Sequence, residues 1–74
     1  MMKVDIYVFS DSLVESLGER LGEPNDIATV RGHKYYLYSR RDVKSVPEFI
    51  SYHPGVVIFD SESEEIVREI SYGV

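Results

Sequence analysis

Within the eleven residues Arg31 to Arg41 (RGHKYYLYSRR) stand Arg31, Lys34, Arg40 and Arg41, half of the chain's eight Lys and Arg side chains. The same stretch holds His33, one of two histidines, and Tyr35, Tyr36 and Tyr38, three of six tyrosines. Guanidinium and ammonium groups neutralise phosphates, and tyrosine rings offer faces on which bases stack, so the mixture suits docking of single-stranded RNA or DNA, or of an acidic protein surface. The rest of the chain has the opposite sign. Arg31 to Lys44 carries five basic and one acidic side chain, or +4, whereas the other sixty residues carry three basic and twelve acidic, or −9. A net charge of −5 argues against broad coating of nucleic acid or an anionic membrane. Contact is therefore expected to be local to Arg31, His33, Lys34, Tyr35, Tyr36, Tyr38, Arg40, Arg41 and Lys44, with Tyr7 and Phe9 as a secondary platform.

Other chemistries find less support. His33 and His53 are twenty residues apart and neither lies in a motif such as H-E-x-x-H that would fix metal geometry. His53 sits at an expected helix end, where an imidazolium interacts well with the last carbonyls. Ser12, Ser45 and Ser61 fit helix caps or turns, and no G-x-S-x-G elbow surrounds any of them. Asp60, Glu62, Glu64 and Glu65 lack the spacing of a calcium loop and read as a solvated turn. The glycines at 18, 22, 32, 55 and 73 form neither a P-loop nor a G-x-G-x-x-G turn. Arg31-Gly32 with Tyr35 and Tyr38 departs from the RNA-recognition octapeptide at His33 and Lys34, so no family is assigned. No enzyme, cofactor or metal is expected.

These side chains must be carried by one small domain, residues 1–74. With 43% hydrophobic residues spread from end to end the chain is expected to fold, although its length is near the lower limit for a core without staples. Cysteine is absent, which excludes disulfides, thiol chemistry and Cys-ligated zinc. The lack of Gln and Trp, a single Asn, and plentiful Arg, Glu and Tyr lean toward a thermophilic source. No apolar run approaches the roughly 20 residues that span a bilayer, and the first residues do not read as a signal peptide, so the expected location is cytoplasmic, with no membrane contact.

Along the chain, Val4, Ile6 and Val8 alternate with Asp5, Tyr7 and Phe9 in an expected strand from Lys3 to Phe9. Leu13, Val14, Leu17 and Leu21 then recur at helical spacing, with Ser12 and Glu15 as a capping box and Gly22 and Pro24 at the end. Ile27 to Ser39 is extended and reads as a hairpin turning at Arg31-Gly32-His33-Lys34, one long strand being the alternative. Ser45-Val46-Pro47-Glu48 opens a short second helix reaching about His53. Val56 to Phe59 reads as a central strand, Asp60 to Glu64 as a polar loop, and Glu65 to Tyr72 as an outer strand, with a helix as alternative.

The sum is an α+β two-layer sandwich, βαββαββ, a split-βαβ or ferredoxin-like plan with an extra C-terminal strand. If Ile27 to Ser39 is one strand, a reduced thioredoxin-like fold without its Cys motif fits instead, and redox activity would not follow. In the sandwich both helices cover one sheet face. With Val4, Ile6 and Val8 toward the helices, Tyr7 and Phe9 point away, and Lys34, Tyr36 and Tyr38 are expected to share their side; a one-residue shift of register would bring Tyr35 and Leu37 outward instead. The expected function is a non-enzymatic binding module for RNA or a ribonucleoprotein. A homodimer or other protein-interaction module, using the same face, is the competing reading.

Overall fold

The computed structural model describes residues 2–70, and the element order follows from the alternation of the sequence. β1 (Lys3–Val8) buries Val4, Ile6 and Val8 completely and leaves the alternate residues half-buried on its other face. α1 (Asp11–Leu21) buries Leu13, Leu17 and Leu21, a stripe spaced by four, against β1 and β3. The expected cap shifts by two residues. Ser10, extended at φ −117°, occupies the N-cap; its hydroxyl lies 3.1 Å from that of Ser12 and caps no backbone N–H. Asp11 instead sets a negative charge in the positive first turn. Gly22 ends the helix at φ 72°, its N–H donating to the Gly18 carbonyl at 3.2 Å, and Pro24 follows.

β2 (Asp26–Val30) and β3 (His33–Asp42) form a hairpin whose two turn residues, Arg31 and Gly32, have φ of 50° and 80°. Positive φ at both central positions is the type I′ pattern, whose twist matches that of the flanking strands. Asp26 to Val30 pair in antiparallel register with Leu37 to His33. This overturns the single long strand, and with it the reduced thioredoxin-like alternative.

The second α-helix is also corrected. Val43–Ser45 and Glu48–Tyr52 are two 3₁₀ turns on either side of Pro47, which stands extended at φ −60° and ψ 140°. Pro47 and Pro54 leave too few residues between them to nucleate an α-helix, and a 3₁₀ turn suffices to bury Ile50. β4 (Val56–Asp60) and β5 (Ile66–Ile70) form a second hairpin, its turn pinned by Asp60 Oδ1, which accepts the N–H groups of Glu62 at 2.9 Å and Ser63 at 3.2 Å. The strand reading of this stretch therefore holds over Ile66–Ile70. Tyr72 and Gly73 lie outside the described residues.

The strands make one antiparallel sheet in the order β2-β3-β1-β4-β5. The result is a compact α+β domain with one α-helix on one side of a five-stranded sheet. Its core unites Val4, Ile6, Val8, the three helix leucines, Tyr38, Ile50, Val56 and Ile58, with Val14, Tyr36 and Val46 against it. Each such burial is worth about 1.5–3 kcal/mol over exposure, so in so small a core no single member is dispensable. Among the described residues no helix is long and apolar enough to cross a membrane.

Candidate docking surface

Register, not composition, decides which tyrosines face out. Ile6 pairs with Tyr38, Tyr7 with Leu37 and Val8 with Tyr36, and paired residues share a face. Tyr36 and Tyr38 therefore lie on the helix side with Val8 and Ile6, and Lys34, two residues before Tyr36 on β3, shares that side with its ammonium over the Tyr36 ring, contrary to the expectation that all three join Tyr7. Tyr38 is wholly buried, and among the described atoms its hydroxyl has no hydrogen-bond partner. Tyr36 is half-buried, with its hydroxyl donating to Asp11 Oδ1 at 2.7 Å. The shifted register is the one observed, and Tyr35 and Leu37 face outward beside Tyr7.

On that open face four aromatic rings form a continuous row. Phe9 and Tyr35 lie 5.8 Å apart between centroids, Tyr35 and Tyr7 5.5 Å, and Tyr7 and Phe59 5.4 Å in an edge-on pair. The row crosses β3, β1 and β4, and the Phe9 N–H fixes the end of β1 by donating to the Gly55 carbonyl at 2.8 Å. Phe59 was absent from the sequence-based site. Val56 to Phe59 is apolar on both faces, so its own pattern hides which members face out; only pairing with β1, which sets Phe59 opposite Asp5, reveals it.

The cations separate as well. Between Val4 opposite Arg41 and Ile6 opposite Tyr38, β3 holds one more residue than β1, a bulge in which Arg40 has φ 51°. The Arg40 N–H and the Ser61 hydroxyl both donate to Asp5 Oδ1, at 2.8 and 2.6 Å, so Asp5 clamps the bulge. The extra residue transfers Arg41 to the helix side. There Nε donates to the Leu21 carbonyl at 3.2 Å, Nη1 to Asn25 Oδ1 at 2.8 Å and the Ser39 carbonyl at 2.7 Å, and Nη2 to the Glu23 carbonyl at 3.0 Å. With its guanidinium also 5.7 Å from the Tyr38 ring, Arg41 braces the end of α1 and is not free to meet a ligand. Arg40 and Lys44 are exposed at this end of β3, the Lys44 N–H donating to Asp42 Oδ1 at 2.9 Å.

Arg31, His33 and Lys34 gather at the opposite end, where the hairpin turn meets Phe9 and the start of α1 around a pocket of about 500 Å³. Hydrogen bonding to the Tyr36 side chain holds the Lys34 ammonium above the ordinary lysine range, and the ammonium lies 5.0 Å over the Tyr36 ring. The β4–β5 end of the open face is acidic, with Asp5 and Glu64 beside Tyr7 and Phe59 around a depression of about 320 Å³. Burial, then the Asp5 charge, pushes the Tyr7 phenol upward in pKa. The aromatic row thus runs from a basic tip to an acidic end.

His53 Nδ1 lies 2.7 Å from the Pro54 carbonyl, and among the described residues no three His, Asp or Glu side chains gather as metal ligands. No family model, curated protein or solved structure matches the chain.

Proposed function

We propose that this protein is a non-enzymatic docking module for single-stranded RNA, free or within a ribonucleoprotein, which stacks bases on the open face of its sheet. The observation that carries the reading is the row Phe9, Tyr35, Tyr7 and Phe59, with neighbouring centroids 5.4–5.8 Å apart. Each base stacked on such a ring gains about 1–3 kcal/mol without regard to its identity. We read the fold as the ferredoxin-like βαββαββ plan, with paired 3₁₀ turns in place of the second helix and β5 added outside β4. In that plan the central strands β1 and β3 turn their outer faces to one ligand.

Arg31 and Lys34, at the hairpin end, supply the charge; with two phosphates of a single strand neutralised, affinity falls with salt on a logarithmic slope of about −1.4. Asp5 and Glu64 repel phosphates from the far end and so limit the footprint. Anisotropy of a labelled single-stranded oligoribonucleotide tests this. Tyr7→Ala and Tyr35→Ala should each cost about 1–3 kcal/mol of binding. Unchanged affinity in both variants would remove the sheet face from the account.

A homodimer is the second reading, favoured by exposed apolar residues at both sheet edges, Ile27 and Val30 on β2 and Ile66 and Val67 on β5. Molar mass in solution separates the two: a monomer leaves the face to an external ligand, and a dimer that shields Tyr7 and Tyr35 assigns it to self-association.

A further inference from the structure

The β2–β3 turn carries a strain that its geometry does not demand. A type I′ turn takes Asn, Asp or Gly readily at its first central position, because these tolerate positive φ. Here that position is Arg31, at φ 50°, a conformation that crowds the Cβ of a long side chain. Strain of this kind gathers where a side chain is needed at one place. The arginine side-chain hydrogen bonds among the described residues all belong to Arg41, which leaves the Arg31 guanidinium to face solvent at the rim of the hairpin pocket.

That pocket has two unlike halves. Phe9 and Val30 give it an apolar wall, and Arg31, His33 and Lys34 give it a basic one. At about 500 Å³ it lies within the size range of small-ligand sites. The single acid, Asp11, already accepts the Tyr36 hydroxyl, and its remaining lone pairs suit a sugar hydroxyl better than a phosphate. A bare anion would leave the Phe9 side empty, and an apolar molecule would leave the two cations, Arg31 and Lys34, unused. We infer that this pocket binds a nucleoside monophosphate, its phosphate between Arg31 and Lys34 and its base against Phe9. Arg31 presents a planar fork that meets phosphate oxygens in pairs, and Lys34, its ammonium 5.0 Å over the Tyr36 ring, acts as the compact second charge. The pocket shares Phe9, Arg31 and Lys34 with the proposed stacking along the sheet, whereas Tyr7, Tyr35 and Phe59 belong to the sheet face alone, so the two are separable by which rings respond.

The test is an amide NMR titration of the full chain with adenosine 5′-monophosphate, run beside adenosine and inorganic phosphate. Adenosine monophosphate should move the signals of Phe9 and residues 30–34 and bind at least about tenfold more tightly than either fragment, a separation of roughly 1.4 kcal/mol. Arg31→Asn should weaken that binding by about tenfold or more. The same variant should melt at a higher temperature, because Asn is at home in the turn, so lost binding would not reflect lost folding. The inference is overturned if the nucleotide binds no better than its fragments, if its shifts map elsewhere, or if Arg31→Asn retains full affinity. An oligonucleotide that moves Tyr7 and Tyr35 while the mononucleotide is silent would remove the pocket and keep the sheet face. The reverse pattern would keep the pocket and remove the sheet face.

Discussion

On the helix side of β3, Tyr36 and Tyr38 are tied into the body of the protein, one by a hydrogen bond to Asp11 and the other by complete burial. On the opposite side Tyr35, their immediate neighbour in sequence, rests in a half-exposed row with Tyr7, Phe9 and Phe59. The residue type is the same, and strand parity alone separates structural tyrosines from those offered to a ligand. The arginines divide likewise. Arg31, held in a left-handed turn, faces a pocket, whereas Arg41 is moved by the bulge to the helix side and spends its donors on α1 and the segment that follows. A basic, tyrosine-rich segment is thus two surfaces folded into one strand.

The sharpest way to break this division is to remove a side chain assigned to structure. Arg41→Ala strips partners from the Leu21, Glu23 and Ser39 carbonyls and should cost about 2–3 kcal/mol in chemical denaturation. Arg40→Ala should change stability by less than about 0.5 kcal/mol, its backbone N–H being the group that meets Asp5. Equal losses in the two variants would contradict the bulge assignment.

Tyr38→Phe acts in the other direction. It removes a buried hydroxyl that lacks a partner among the described atoms, and should stabilise the fold by about 1 kcal/mol. A loss of stability would mean that the hydroxyl is satisfied in solution. The pH dependence follows with its own sign. Burial holds the Tyr38 phenol above its ordinary value of 10.0, with Arg41 partly opposing. The folded chain then keeps a proton that the unfolded chain releases, so this contribution is whole below pH 10 and is lost as pH rises through the folded pKa. Tyr38→Phe should flatten that alkaline decline in part, the raised Tyr7 phenol retaining the remainder.

Much of the fold was legible in the sequence because its periods are clean. Val4, Ile6 and Val8 announce a strand, Leu13, Leu17 and Leu21 a helix, and Arg31-Gly32-His33-Lys34 a turn, of which Arg31 and Gly32 make the turn while His33 and Lys34 begin β3. The second helix was misread because the cap signal at Ser45 and Glu48 is local, whereas the limit set by Pro47 and Pro54 is one of length. The open face was misread for a different reason. Alternation shows that Tyr35 and Tyr36 oppose each other, but only pairing with β1 tells which one faces the helix. The bulge then reverses parity once more before Arg41, and nothing within Ser39-Arg40-Arg41 marks it. Asp5, which clamps it, lies on another strand.

The division between the two faces is tested most directly by aromatic-ring NMR of the six rings during titration with single-stranded oligoribonucleotides at low and moderate salt. The account predicts salt-sensitive shifts in Tyr7, Phe9, Tyr35 and Phe59, with Tyr36 and Tyr38 unmoved. Shifts centred on Tyr36 and Tyr38, or no shift at low salt, would contradict it.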